Sequence, residues 1–144
     1  MEFKKFGSKY VVRIDKGEEI VTCLEQVVGK NNIQLGFVEG IGAVNEAQIG
    51  LFAAEIKQYQ STTITGDLEI TSLKGNISTK EGKPYLHLHI NLADARYKTY
   101  GGHLNRAVVS GTCELIIVEI AGTVERKFSN EVGLNLYHFP GDCQ

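Results

Sequence analysis

Three features that would each place a chain in a particular class are missing from this sequence: closely spaced cysteines, a long apolar run and an excess of positive charge. Its three cysteines, Cys23, Cys113 and Cys143, are odd in number and far apart. They therefore form neither a zinc knuckle with C-x-x-C spacing nor a dense disulfide framework. We expect them to be buried or terminal thiols.

The chain also shows no sign of a membrane span or of a global attraction to nucleic acid. No run of about eighteen or more apolar residues occurs. Residues 1–6 lead into a polar turn rather than into the apolar core of a signal peptide. The formal net charge is −2 with acids and bases interspersed, so any contact with DNA would need a local patch or a partner. We expect a soluble, cytoplasmic protein that does not associate with membranes.

One helix is predicted near the start of a single domain, residues 1–144. The spacing of Asp15 and Glu18 is that of a capping box, in which Asp15 accepts from the amides of the first turn and Glu18 reaches back. Apolar residues then recur at helical spacing until about Gly29. They are Ile20, Val21, Leu24, Val27 and Val28. This is the one convincing helix of the sequence.

Strand patterns dominate elsewhere. Short strands are predicted over 9–14, 33–38, 43–52, 62–65, 67–73, 75–78, 85–92, 123–128 and 134–139, with 53–60 either a strand or a loop. A bulge or sharp bend is expected at the glycines of 39–43. The apolar run after Gly111 is nearly continuous, which predicts a strand buried on both faces. The predicted fold class is α+β, a mainly antiparallel sheet with one principal helix packed on it.

Three of the four histidines lie in the stretch 84–105. Strict alternation in Leu86-His87-Leu88-His89-Ile90 places both imidazoles on one face of a strand. His103 follows Gly101-Gly102, where missing side chains permit unusual backbone angles and close approach of another group. Three converging neutral imidazoles would form a zinc site with an open fourth position. Alternatively, His87 and His89 line a solvent-exposed face and His103 belongs to a turn.

Four motifs in one order carry a family resemblance. They are Gly40-Ile-Gly-Ala-Val44, Glu69-Ile-Thr-Ser-Leu-Lys-Gly75, His87-Leu-His-Ile-Asn-Leu-Ala-Asp94 and Gly101-Gly-His-Leu104. Together and at this spacing they resemble the PPC domain, the "plants and prokaryotes conserved" domain. The resemblance covers about residues 8–139.

The resemblance implies a compact domain with a strongly bent sheet that assembles as a homotrimer. It also implies a bound divalent metal, most often zinc, for prokaryotic members that keep the three histidines. Plant members lack these histidines and carry an AT-hook with an Arg-Gly-Arg-Pro core, whereas no Arg-Gly-Arg occurs here. The chain therefore resembles the stand-alone prokaryotic type, and the absence of an AT-hook counts against direct DNA binding.

Four further residues are candidates for the site. Glu69 could act as an acid or base, or orient an imidazole, although a strand-end acid is an equal alternative. Asp94, Gly101 and Gly102 are candidate ligand-binding residues. The alternatives are a turn-forming role for Asp94 and a plain turn for the two glycines.

Two classes of function remain open. In the first, favoured here, a trimeric metal-containing domain binds a small ligand or a partner protein in a regulatory or DNA-associated role. In the second, the metal serves a hydrolase or lyase with Glu69 as acid or base. The sequence shows no nucleophile motif, and Gly40-Ile-Gly lacks the length of a phosphate-binding loop. The sequence does not decide whether the protein is an enzyme.

Overall fold

Eight strands and one helix make up residues 1–141, the part of the chain that the computed structural model describes. The strands are β1 Glu2–Phe6, β2 Lys9–Asp15, β3 Gly36–Ala53, β4 Gln58–Lys80, β5 Lys83–Ala93, β6 Thr99–Glu119, β7 Glu125–Ser129 and β8 Leu134–His138, and the helix is α1 Ile20–Lys30. The predicted class, a mainly antiparallel sheet with one helix, is confirmed. The strong bend that the resemblance implies stays a prediction.

The strands form one sheet in the order β1-β2-β6-β3-β4-β7-β8, and β5 pairs with both β4 and β6. Because β6 also pairs with β3, and β3 with β4, these four strands form a closed ring of pairings. The pairs between the described strands are antiparallel, apart from one parallel contact between Thr79 and Glu125. The strand that carries two of the histidines, β5, is therefore held on both sides.

The core lies on one side of the strands, where helix α1 packs against β5 and β6. On β6 the residues Cys113, Leu115 and Ile117 are buried, but Ile116 between them is 48% exposed. The prediction that this strand is buried on both faces is therefore wrong for the single chain. Its outer face carries Thr112, Glu114, Ile116 and Val118, so it is part polar, and Ile116 remains uncovered by the rest of the described chain. Cys23 is also a buried free thiol, as predicted, while Cys143 lies outside the described residues.

Helix α1 begins at Ile20 and is capped by Glu19, a residue that the sequence analysis did not single out. The Glu19 carboxylate accepts hydrogen bonds from the backbone amides of Val21 and Thr22, at 2.9 and 2.8 Å. These amides have no partner within the helix, and a negative charge suits the positive end of the helix dipole. The buried residues of the helix are Ile20, Cys23, Leu24, Val27 and Val28.

The predicted capping box is formed only in part. The Glu18 carboxylate accepts from the backbone amide of Asp15 at 2.8 Å, as predicted. The Asp15 carboxylate, however, accepts from Nε of Arg13 at 2.8 Å, and not from the first turn of the helix. Asp15 is still the last residue of β2, so it lies too early in the chain to cap α1.

The strands are longer than predicted. Strand β4 continues through the three segments predicted separately over 62–78, and β3 joins the segments predicted over 33–38 and 43–52 but begins only at Gly36. At Gly40 and Gly42 the pairing of β3 shifts register, which is the bulge or bend predicted there. The bulge lets the strand continue, so glycines that resembled turn signals do not end it. Residues 53–60, which were predicted to be either a strand or a loop, contain the turn between β3 and β4. Strand β1 was not predicted.

Candidate metal centre

The imidazoles of His87, His89 and His103 lie together on the outer side of the sheet. One ligand atom from each residue lies within 4.8 Å of the others. The ring centroids are 5.2 Å apart for His87 and His89, 5.3 Å for His87 and His103, and 5.7 Å for His89 and His103. The structure thus brings together the three residues that the sequence singled out as metal ligands.

Strand register produces this convergence. Leu88 and Ile90 are 1% and 2% exposed and point into the core, so the alternating His87 and His89 point outward. The pairing of β5 with β6 then sets His89 directly opposite His103. Each imidazole is therefore carried by a strand that pairs with its neighbours, not by a loop.

His103 lies within β6, not after a turn as predicted. The missing side chain of Gly102 permits the close approach of β3 to β6 at this point. A β-carbon at Gly102 would lie 2.6 Å from the carbonyl oxygen of Gly50, so a larger residue would push β3 away. A β-carbon at Gly101 would lie 3.3 Å from the carbonyl oxygen of Ile90. The close approach predicted for the glycine pair occurs within the chain, and a ligand-binding role for either glycine stays a prediction.

The surroundings of the cluster favour neutral imidazoles. Burial, the positive charge of Arg126 and the two other histidines together lower the pKa of His87 to about 4, with burial as the largest cause. Burial also lowers the pKa of His103, with His89 as a second cause. Because a metal ion binds the neutral imidazole, the lowered pKa values of His87 and His103 suit these two residues to metal binding.

A buried arginine lies beside His87. Arg126 of β7 is 7% exposed, and its Nε donates to Oγ of Ser78 at 2.7 Å. Its guanidinium lies 4.9 Å from the ring centre of Tyr85 and 4.3 Å from that of Tyr137. Tyr85 precedes His87 by two residues on β5, so the guanidinium lies on the face that carries the histidines. No described carboxylate forms an ion pair with it.

The hairpin that carries Arg126 reaches across to the turn between β3 and β4. Nζ of Lys57 donates to the carbonyl oxygen of Asn130, between β7 and β8, at 2.7 Å. A β-carbon at Gly133 would lie 3.1 Å from Cζ of Phe52. The β7–β8 hairpin thus contacts the turn between β3 and β4 as well as the far end of β4, where Thr79 pairs with Glu125.

Tyr59 and Asn105 stand next to His103. The rings of Tyr59 and His103 meet edge to face, with centroids 6.1 Å apart. The Tyr59 hydroxyl donates to Oδ1 of Asn105 at 2.8 Å. Nδ2 of the same amide is buried and has no hydrogen-bond partner within residues 1–141.

The structure does not bring Glu69 to the histidines. Glu69 pairs with Ala93, four residues along β5 from His89, which corresponds to roughly 13 Å of strand. It lines a separate hollow together with Asp67 and Asp94. Its role as acid or base stays a prediction, and any such role would lie outside the contacts of the imidazoles.

Asp94 organises the connection between β5 and β6. Its Oδ1 accepts from the backbone amides of Arg96 and Lys98 at 2.8 and 3.0 Å, and its Oδ2 from the Tyr100 hydroxyl at 3.1 Å. Burial alone would raise the pKa of Asp94, but these donors hold it below its usual value. The contacts fit the turn-forming alternative, and a ligand-binding role stays a prediction.

Sequence reasoning missed Tyr59, Asn105 and Arg126. The position of Asn105, two residues after His103, was a usable signal that required β6 to be recognised as a strand there. Arg126 and Tyr59 lie far from the histidines in the chain and belong to no local pattern. Only the pairing of the strands brings them near.

Three solved structures share this fold over nearly the whole chain. A Bacteroides thetaiotaomicron protein described as a "putative DNA-binding protein" is 35% identical, with a TM-score of 0.93 and 96% of each chain covered. The metal-containing protein of Archaeoglobus fulgidus is 34% identical, with a TM-score of 0.86 over 96% of this chain and 99% of that one. A Pyrococcus horikoshii plant- and prokaryote-conserved protein is 31% identical, with a TM-score of 0.84 over 97% and 96%.

The sequence comparisons agree with the structural ones. A bifunctional GlmU protein of Synechococcus sp. is 30% identical over 124 residues, which are 85% of this chain and 18% of that protein. The chain thus spans less than a fifth of the length of the curated relatives it matches. The model of the Plants and Prokaryotes Conserved (PCC) domain, the PPC family named above, matches residues 1–121. The chain belongs to the plants and prokaryotes conserved domain family.

Proposed function

We propose that this chain is a metal-binding domain that holds a divalent ion, zinc in the first instance, through His87, His89 and His103. The observation that carries the proposal is the convergence of three ligand atoms within 4.8 Å of one another. Zinc takes nitrogen donors of this kind, and a set of three leaves a fourth position for a ligand. Such an ion supplies positive charge and Lewis acidity on the face of the sheet.

Two further observations support the proposal. The depressed pKa of His87, about 4, leaves that imidazole neutral at physiological pH. A relative that is 34% identical over its full length is described as a metal-containing protein. The donor set and the likeness are independent of each other, since one comes from geometry and the other from comparison.

Metal analysis of protein purified without a polyhistidine tag tests this proposal. We expect about one zinc per chain in the wild type and almost none after substitution of all three histidines by alanine. His138→Ala is the matched control because His138 lies in β8, outside the cluster, and should keep the metal. Equal metal contents in the wild type and the triple variant would refute the site.

We also propose that the domain works as a homotrimer, as the family resemblance implies. The outer faces of β2, β3 and β6 carry an apolar patch of Val11, Phe37, Ile41 and Ile116, each between 41% and 61% exposed. Val11 and Ile116 are direct cross-strand partners, whereas Ile116 pairs with Glu39 and Ile41 with Glu114 between β6 and β3, so two glutamates lie among the apolar residues. Exposed apolar residues grouped with polar neighbours in this way are typical of protein interfaces.

The patch extends to the metal centre. Phe37 is the cross-strand partner of Asn76, and Asn76 is the partner of His87. An interface on this face would therefore place the imidazoles near a subunit boundary.

The role best supported is binding of a small ligand or a partner protein, in regulation and in the cytoplasm. The described part of the chain has no helix able to cross a membrane. Direct DNA binding receives support from the descriptions of similar structures, the Bacteroides protein among them, while the net charge of −2 weighs against it. An electrophoretic shift assay at two salt concentrations tests it, and we expect no shift at either.

The open fourth position favours a metal-dependent hydrolase or lyase as the second candidate. A hollow lined by Phe37, Glu39, Lys74, His87 and His89 borders two of the three proposed ligands and has room for a small molecule. Zinc-loaded and chelator-stripped protein should be compared on small esters, lactones and phosphate esters, with Glu69→Gln as a variant. Activity that survives chelation would exclude this candidate.

A further inference from the structure

Asn105 lies on β6, the strand that carries His103, beside the histidine cluster. Strands β5 and β6 run antiparallel, with His89 opposite His103 as the last pair of their ladder. Asn105 follows His103 by two residues on β6, and His87 precedes His89 by two residues on β5. Because the two strands are antiparallel, both residues lie on the same side of the His89–His103 pair. Since alternate residues of a strand share a face, Asn105 lies beside His103 on the side towards His87.

A β-bulge keeps the Asn105 side chain on this face. The pairing of β3 with β6 shifts register between the pairs Ile49–Leu104 and Gln48–Arg106, which leaves Asn105 as the extra residue. Leu104 and Ala107, on either side of the bulge, are both buried in the core. Bulges of this type turn a side chain towards a site and are frequent beside functional residues.

Only one of the two polar groups of the Asn105 side-chain amide has a hydrogen-bond partner. Its Oδ1 accepts from the Tyr59 hydroxyl at 2.8 Å, which fixes the orientation of the side chain. Its Nδ2 is buried without a partner among the described residues. A buried donor without an acceptor costs about 1–3 kcal/mol, so such groups in folded proteins normally meet a ligand or a water.

The charges near the histidine cluster indicate which kind of hydrogen-bond acceptor suits Nδ2 of Asn105. Arg126 is buried beside His87, and no carboxylate of residues 1–141 pairs with it. A divalent ion held by neutral imidazoles would add to this positive charge. The surroundings therefore favour a negatively charged oxygen over a neutral carbonyl oxygen or an amine.

We propose that Asn105 is a ligand-binding residue of the metal centre, which donates a hydrogen bond from Nδ2 to a small oxyanion held there. The inference rests on the metal site proposed above. Carboxylate and phosphate share the required chemistry, namely negative oxygens that can meet a metal ion and an amide donor together.

Calorimetric titration of zinc-loaded protein with acetate, and separately with inorganic phosphate, tests the inference. Asn105→Asp keeps the size of the side chain and an acceptor for the Tyr59 hydroxyl, but it removes the donor. Asn105→Ala removes both groups. Asn45→Ala, at an exposed position of β3, is the control for loss of an asparagine elsewhere.

We expect at least one of the two anions to bind the wild type and Asn45→Ala equally, and to bind Asn105→Ala at least about tenfold more weakly. Asn105→Asp should bind the anion more weakly still, because its carboxylate also repels a negative charge. Zinc content should be the same in all the variants, which separates ligand binding from metal binding. Equal anion affinity in the wild type and Asn105→Ala, or no binding of either anion to zinc-loaded wild type, would overturn the inference. A wild type that takes up no zinc would overturn the proposed function as well.

Discussion

His89 of β5 and His103 of β6 are direct cross-strand partners, with ring centroids 5.7 Å apart. The hydrogen-bonded ladder between the two strands fixes this pair, and alternation along β5 adds His87 to the same face. The cluster is thus held by paired backbones before any ligand arrives. Sites built on strands hold their side chains more rigidly than sites built on loops.

Gly102→Ala should damage the metal centre although it changes no ligand. The added β-carbon would lie 2.6 Å from the carbonyl oxygen of Gly50, so β3 and β6 must move apart next to His103. We expect a loss of about 1–3 kcal/mol in unfolding free energy, measured with urea, together with weaker zinc binding. Gly101→Ala is the matched control, since its β-carbon would meet the carbonyl oxygen of Ile90 only at 3.3 Å. Equal stability and zinc affinity in both variants would contradict this account.

Glu19→Gln should destabilise the fold at neutral pH and much less in acid. Burial alone would raise the pKa of Glu19, but hydrogen bonds from Thr22, Val21 and Ala107 hold it below its ordinary value of 4.5. The ionised carboxylate therefore stabilises the folded state above pH 4.5, and this contribution is lost as the pH falls through the folded pKa.

The measurement is urea unfolding of wild type and Glu19→Gln at several pH values. We expect a difference of about 1 kcal/mol at pH 7 that shrinks as the solution is acidified. Glu25→Gln, on the exposed side of α1, should show little effect at any pH. A Glu19→Gln difference that does not change with pH would contradict the capping role.

Ile116→Glu should dissociate the proposed trimer. Ile116 is 48% exposed in the single chain and lies in the apolar patch, so a charge there would be buried without a partner in an interface. Light scattering should give the mass of three chains for the wild type and of one chain for the variant. Leu51→Glu is the control, because Leu51 is 68% exposed but lies outside the patch. A monomeric wild type, or a trimeric Ile116→Glu, would contradict the proposed interface.

Arg126→Lys should loosen the β7–β8 hairpin. The guanidinium donates to Ser78 and to the carbonyl oxygen of Asn135, and it stacks on Tyr85 and Tyr137, whereas an ammonium group cannot do all of this at once. Amide hydrogen exchange should become about tenfold faster in β7 and β8 and stay unchanged in α1. Lys127→Arg, at an exposed neighbouring position, should leave the exchange rates unaltered. Unchanged exchange in Arg126→Lys would show that Arg126 does not anchor the hairpin.

The sequence was sufficient to predict the fold class and the shared face of two histidines, because both depend on short-range patterns, whereas the position of His103 depends on the pairing of β5 with β6. Alternation in 86–90 predicted correctly that His87 and His89 share a face. The apolar spacing of α1 predicted its buried side, but not its first residue. Glu19 caps the helix because the chain turns at Lys16 and Gly17 and then pairs Glu19 with Val108, so that the helix begins only at Ile20, which no local spacing reveals.

What the sequence could not provide depends on contacts between distant segments. Arg126 meets Ser78 and Tyr85 only because β7 pairs with the end of β4. Asn105 is recognisable as a bulge residue only once the register of β3 on β6 is known. The exposed face of β6 was predicted to be buried because an apolar run does not reveal whether its cover comes from the same chain or from another.

The most direct test of the metal centre is anomalous X-ray diffraction from crystals of untagged protein, recorded on both sides of the zinc absorption edge. The account predicts one anomalous peak per chain, between the rings of His87, His89 and His103, that disappears below the edge. A zinc peak at another place, or none in crystals grown from protein supplied with zinc, would contradict it.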